Sequence, residues 1–223
     1  MEALAEGVAE LEAKAALHSL FAQAMNYPDA KLVDSLRKGK FAGALNESLA
    51  VLGDTSLKAD IEKCRKEYLR KDSLDKSADK EEMLLELERD YTRMFFSSKP
   101  RLAYLFESVY REGKLLQEST FEIARLYRDA GLVLNEDFRL PPDHIAVELE
   151  FLSFLVFKEI EGLKNGNKET VEYAKELQEA VINKHLRSFA LNVGERVAQH
   201  ARAPFYRTVA QVLQQYFSKD VSA

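Results

Sequence analysis

A chain of 223 residues with 46% hydrophobic and 31% charged side chains can bury a substantial core as one large domain or two small ones. Its net charge of −5 supplies no basic field for nucleic acid or anionic lipid, so neither is expected as a partner. The single cysteine, Cys64, excludes an intramolecular disulfide and any multi-cysteine zinc or iron–sulfur site built from this chain alone. An acidic start, Met1 to Glu6, lacks the basic-then-apolar order of a secretory signal. The most apolar stretch, 145–157, is interrupted by Glu148 and Glu150 and falls short of the ~20 residues a spanning helix needs. A cytoplasmic protein without stable membrane insertion is expected.

In chain order, the periodicity predicts helix after helix and no alternating strand. Leu17, Leu20, Phe21 and Ala24 form the first stripe, which ends near Tyr27-Pro28. Short helices are predicted over 29–37 and 41–52, closed by Gly39 and Gly53, then a charged helix over 57–71 and a polar connector over 72–79. Leu84, Leu87, Tyr91 and Met94 make the next stripe, and Ile123, Leu126, Tyr127 and Ala130 another, stopped by Gly131. Leu105 and Phe106 fall outside an obvious helix, where large apolar residues often line a binding surface. The stretch 132–142 has no clear period and reads as a loop or hinge. Leu186, Phe189, Val193 and Val197 give the penultimate stripe, and Val209, Val212, Leu213 and Tyr216 the last. The expected fold is all-α: a single multi-helix bundle of about ten helices.

The most informative segment follows the hinge: Pro141-Pro142-Asp143-His144-Ile145-Ala146-Val147-Glu148-Leu149-Glu150-Phe151-Leu152. Proline suits a first helical turn, where its missing N–H has no intrahelical partner, and Asp143 suits the N-cap or first turn. Ile145, Leu149, Leu152 and Val156 form a core stripe, while His144 and Glu148 share a face at i, i+4. Polar groups so close to a core stripe must be partnered or must face a groove.

This segment resembles the signature of the TorD/DmsD/NarJ family, cytoplasmic chaperones that mature molybdenum-containing redox enzymes. The family pattern P-x-D-H-x-x-x-E-L-x-F-M is met by Pro141, Asp143, His144, Glu148, Leu149 and Phe151, with Leu152 at the methionine. Asp90-Tyr91-Thr92-Arg93-Met94-Phe95 resembles the E-Y-T-R-L-F element, and Glu107-Ser108-Val109-Tyr110 the end of the Y-E-S-V-Y element. His185-Leu186 and Pro204-Phe205-Tyr206 resemble H-L-x-x-W and P-F-Y, although Phe189 replaces the tryptophan and the chain has none. Residues 83–217 bear the motifs and 1–80 match weakly, within one domain over 1–223.

The resemblance implies a non-enzymatic chaperone that binds the twin-arginine leader, the apo catalytic subunit of a molybdoenzyme, or both, before cofactor insertion and export. The alternative is a NarJ-type adaptor that binds a mature subunit lacking such a leader. The residues implied for client binding are Tyr91, Met94, Phe95, Leu105, Phe106, Ser108, Asp143, His144 and Glu148. Holding a leader needs carboxylates for its arginines and apolar surface for the following stretch; Asp143, Glu148 and Glu150 offer the first, and Met94, Phe95, Leu105 and Phe106 the second. Asp143 and His144 are thus expected on a client-binding surface. The resemblance also implies a monomer or a domain-swapped homodimer, with 132–142 as the expected hinge. No cofactor or metal is implied: no Glu-x-x-His pair occurs for a di-iron site, and no glycine-rich phosphate loop is present.

Overall fold

The structure is a computed structural model that describes residues 2–69, 76–97, 99–132 and 140–219. Among these the chain is helical, in the order α1 (Glu2–Met25), α2 (Ala30–Arg37), α3 (Lys40–Val51), α4 (Lys58–Tyr68), α5 (Lys76–Thr92), α6 (Glu107–Glu112), α7 (Glu118–Asp129), α8 (Ile145–Asn165), α9 (Lys168–Val181), α10 (Arg187–His200) and α11 (Pro204–Ser218). One π-helical turn, Arg93–Ser97, prolongs α5, and a second, Ile182–Leu186, joins α9 to α10. The all-α expectation holds.

The predicted stripes turn inward. Leu17 and Phe21 of α1, Ile145, Leu149, Leu152 and Val156 of α8, and Val209, Val212 and Leu213 of α11 are all buried. The long α8 is the central element, packed by α1 on one side and α9 on another, while α10 and α11 pack together. Polar seams fix these crossings. Ser153 Oγ donates to the Ala15 carbonyl at 3.0 Å, and His18 Nε2 meets the Tyr216 hydroxyl at 2.9 Å.

The element around Asp90 is a clasp between α5 and the α10–α11 turn. Asp90 Oδ2 accepts the backbone N–H groups of Arg202 and Ala203, each at 2.8 Å. Its Oδ1 receives Arg93 Nη2 at 2.6 Å. The N-cap residue of α11, Ala203, has no side-chain cap of its own; the Tyr68 hydroxyl accepts the first-turn Phe205 N–H at 3.2 Å, while Asp90 holds the two residues that lead into the helix.

Three expectations shift. Helix α6 was not foreseen, because six residues are too few for a periodic signal. Helix α9 carries its apolar residues sparsely on one face, Ala174, Leu177 and Val181, and was missed too. Part of the predicted connector over 72–79 is already helix, since α5 begins at Lys76, and 72–75 lie outside the described residues. The hinge expected at 132–142 lies largely outside them as well, at 133–139.

Candidate functional site

The signature helix starts later than its prolines suggest. Its N-cap is His144, in extended backbone, whose Nδ1 accepts the Ala146 N–H at 3.2 Å. That role requires an unprotonated Nδ1. Burial holds the imidazole pKa down at about 4, opposed by the neighbouring Asp143 carboxylate, so the ring is neutral as the cap demands.

Asp143 therefore caps a different helix. Its Oδ2 accepts the Ser108 N–H at 3.0 Å, in the first turn of α6, whose own N-cap residue Phe106 has no capping side chain. The backbones meet here too, in an isolated antiparallel bridge between Phe106 and His144. Glu107 N–H donates to the Asp143 carbonyl and Ile145 N–H to the Leu105 carbonyl, both at 2.9 Å. The Phe106 and His144 rings stand edge to face at 5.3 Å.

Beneath this bridge lies a buried acidic cluster. Glu107, Asp143 and Glu148 are each fully buried. Glu107 is doubly partnered, by His185 Nδ1 at 2.9 Å and Arg111 Nη1 at 3.0 Å. Among the described residues the buried Glu148 carboxyl meets no donor at hydrogen-bond distance. Burial first, and then the nearby Glu107 and Asp143 charges, push its pKa well above the usual carboxylate range, with Arg111 opposing. Burial without a protein donor thus favours the protonated form of Glu148. Tyr127 closes the cluster, its hydroxyl donating to the Pro142 carbonyl at 2.7 Å. Burial and the Glu148, Asp143, Glu107 and Glu150 charges drive that phenol's pKa upward.

The structure thus brings Leu105, Phe106, Ser108, Asp143, His144 and Glu148 to one seam between α6 and α8. Tyr91, Met94 and Phe95 sit elsewhere, on α5 and its π-helical extension. The Tyr91 hydroxyl donates to the Met25 carbonyl at 2.9 Å, and the Met94 carbonyl accepts Leu102 and Ala103 N–H. One expectation needs correcting. Asp143 and His144 are not surface groups at the mouth of a helix; of the nine residues only Phe106 is partly exposed, the other eight being buried. The physical reason is the cap: a carboxylate that serves the N-terminus of α6 must lie between the two helices it joins. The acidic partner of His185 in this seam is Glu107.

Three participants escaped the sequence reading as site residues. Glu107 and His185 were visible within their motifs, but no spacing joins residues 78 positions apart. Arg111 follows Glu107 at i, i+4, a pairing that helical spacing would have supplied had α6 been foreseen. Among the described residues no group of three or more histidine, cysteine, aspartate or glutamate side chains is arranged to hold a metal ion, and no helix is long and apolar enough to cross a membrane.

This arrangement of motif residues can be set beside known proteins. The family described as nitrate reductase delta subunit matches residues 40–193. The chain belongs to that family. Within the nitrate reductase delta subunit family, the motifs from Asp90 to His185 fall inside the matched region. A chaperone protein TorD of Vibrio parahaemolyticus is 27% identical over 199 residues, covering 87% of this chain and 85% of that protein. One from Escherichia coli O81 is 28% identical over 130 residues, 58% of this chain and 59% of its own length. A solved structure described as that of a redox enzyme maturation protein, from Archaeoglobus fulgidus, has the same fold, with a TM-score of 0.55, 22% identity and coverage of 92% and 94%. The relatives named here are chaperones and a maturation protein, not catalysts, in agreement with a non-enzymatic chain.

Proposed function

We propose that this protein is a cytoplasmic chaperone for assembly of a molybdenum-cofactor-containing oxidoreductase, binding the client's twin-arginine leader, its apo catalytic subunit, or both. The observation that carries the reading is membership of the nitrate reductase delta subunit family, together with the TorD chaperone that this chain matches over most of both lengths. Such a chaperone acts by binding alone: covering the leader delays export, and holding the subunit open admits the cofactor.

Client contact is assigned to the α6–α8 seam and the adjoining α5 face. Phe106 meets the client directly; Tyr91, Met94, Phe95, Leu105, Ser108, Asp143, His144 and Glu148 support that surface from within, or reach the client when the seam parts. The burial of these eight residues favours the supporting role. The family description itself, a delta subunit of nitrate reductase, favours a second reading, an adaptor for a mature subunit without a leader.

Calorimetric titration of the full chain separates the two. The probes are a synthetic twin-arginine leader peptide of a molybdoenzyme and the leaderless apo catalytic subunit of the same enzyme. Binding of the peptide supports the leader reading, and binding of the leaderless subunit alone supports the adaptor. Binding of neither refutes both.

A further inference from the structure

The motif helix has an outer side that the buried cluster does not use. Glu148 and Glu150 are two residues apart, so they point to nearly opposite faces of α8: Glu148 is buried and Glu150 is exposed. Glu150 opens onto a groove of about 460 Å³ whose other wall is the end of α1 and the turn into α2. The groove presents two carboxylates, Glu150 and Asp29, and the apolar surfaces of Leu20, Tyr27 and Leu32. No lysine or arginine lines it among the described residues.

Each wall has a distinct character. Asp29 is the N-cap of α2, its Oδ1 accepting Leu32 N–H at 2.8 Å, and this bond fixes the carboxylate at the rim. Partial burial raises the Glu150 pKa, offset by a long 3.4 Å hydrogen bond from Asn26 Nδ2. Tyr27 is 55% exposed and stands edge-on to the buried Tyr91 at 5.4 Å. Phe96, 49% exposed and 6.0 Å from Tyr91, is not part of the groove lining and carries the Arg101 guanidinium over its ring at 5.6 Å. The groove thus sets a pair of anions beside the exposed Tyr27 ring.

We infer that this groove between α1 and α8 binds a client peptide segment in which arginine precedes apolar residues, with Glu150 and Asp29 receiving the guanidinium and Leu20 and Tyr27 the apolar side chains. Two carboxylates with no lining cation repel anionic ligands and favour a cationic one, and a guanidinium satisfies carboxylates through paired N–H donors. An exposed aromatic ring beside such a pocket supplies large, stiff contact area to an apolar chain. The inference rests on the chaperone reading for the source of the peptide. It places the charge-reading residues outside the motif's buried cluster, in a part of the chain where the motif resemblance is weak.

The test uses the full chain and two fluorescein-labelled peptides, one with paired arginines followed by leucines, the other with citrulline replacing each arginine. The wild type should bind the arginine peptide about tenfold more tightly, the scale of one or two charge-assisted hydrogen bonds. The double variant Glu150→Gln, Asp29→Asn keeps an acceptor for Asn26 and a capping oxygen for α2 while removing both charges. It should bind the two peptides alike, with an unchanged melting temperature. Tyr27→Ala should weaken both peptides equally. On the wild type, the methyl resonances of Leu20 and Leu32 should shift on titration with the arginine peptide; methyls that stay still overturn the placement. A double variant that keeps the arginine preference places the charge reader elsewhere and overturns this inference while leaving the chaperone reading intact. Equal binding of both peptides by the wild type overturns it too. Where neither peptide binds, the groove proposal fails. Binding of the apo catalytic subunit in that same case leaves the chaperone reading standing, and its absence removes both.

Discussion

The residue with the most unusual setting is Glu148, a fully buried carboxyl beside two others. Its raised pKa means that the folded chain holds a proton the unfolded chain releases. Stability is therefore lost as pH rises from about 4.5 through the folded value. Glu148→Gln, neutral and of the same shape, should remove that slope and be at least as stable as the wild type at pH 8, measured by urea denaturation across pH 5 to 9. A variant weaker at every pH would show that the ionised carboxylate is needed. His144 has the opposite sign. Its pKa falls from 6.5 unfolded to about 4 folded, so stability is lost as pH drops through that window, by on the order of 3 kcal/mol when the ring is fully charged. His18, held at about 3 by burial and then by Lys14, adds to the same acid limb. Replacing His144 by Asn retains a capping oxygen and removes one titration, so the acid limb should become shallower without vanishing. An unchanged limb in melts between pH 4 and 7 would remove His144 from the account.

At the scale of elements, helix ends and helix crossings do the positioning. Asp90→Ala opens the clasp at the start of α11 and leaves the Arg202 and Ala203 N–H groups without their carboxylate. The expected loss is about 1–3 kcal/mol by chemical denaturation; Asp90→Asn, which keeps one acceptor, should lose less. Gly162 lets α8 meet the start of α9 closely: a Cβ there would stand 2.8 Å from Val171 Cγ2 and 3.1 Å from the Asn167 carbonyl oxygen. Gly162→Ala should gain about 1 kcal/mol in helix propensity yet lose about 1–3 kcal/mol to overpacking, for a net fall in melting temperature. A rise would mean that α9 yields easily. These elements also show what was legible beforehand. The stripes of α1, α8, α10 and α11 were read correctly because each buries one long face at a 3.6-residue period. The partnerships were not. Asp143 was read as a cap of its own helix, because a cap that serves a helix 35 residues earlier leaves no mark at any local spacing. Likewise the polar chemistry of Asp143, His144 and Glu148 suggested a surface, and only tertiary packing could show that the three face inward.

Over the whole molecule, one apolar cluster runs from Leu17 in α1 to Phe217 in α11 and includes residues of every helix between except α6 and α9's outer turns. Such continuity predicts one cooperative unit. Circular dichroism and calorimetry should give a single coincident thermal transition, and two separated transitions would divide the chain at the weakly matched first eighty residues. The clasp at Asp90 and the His18–Tyr216 contact also tie early helices to the last one. Loss of the C-terminal helix should therefore destabilise α1 as well as α10.

The opposite placement of Glu148 and Glu150 on α8 has a practical consequence. A single short string of sequence encodes both an interior that fixes the architecture and an exterior that meets solvent, on alternate faces of one turn. The two can be varied separately: a library confined to Glu150, Tyr27 and Asp29, with Asn retained as an option at the last, would change what the outer face attracts while leaving the inner one untouched. Retargeting such a protein to a new client is then a matter of repainting one side of a helix.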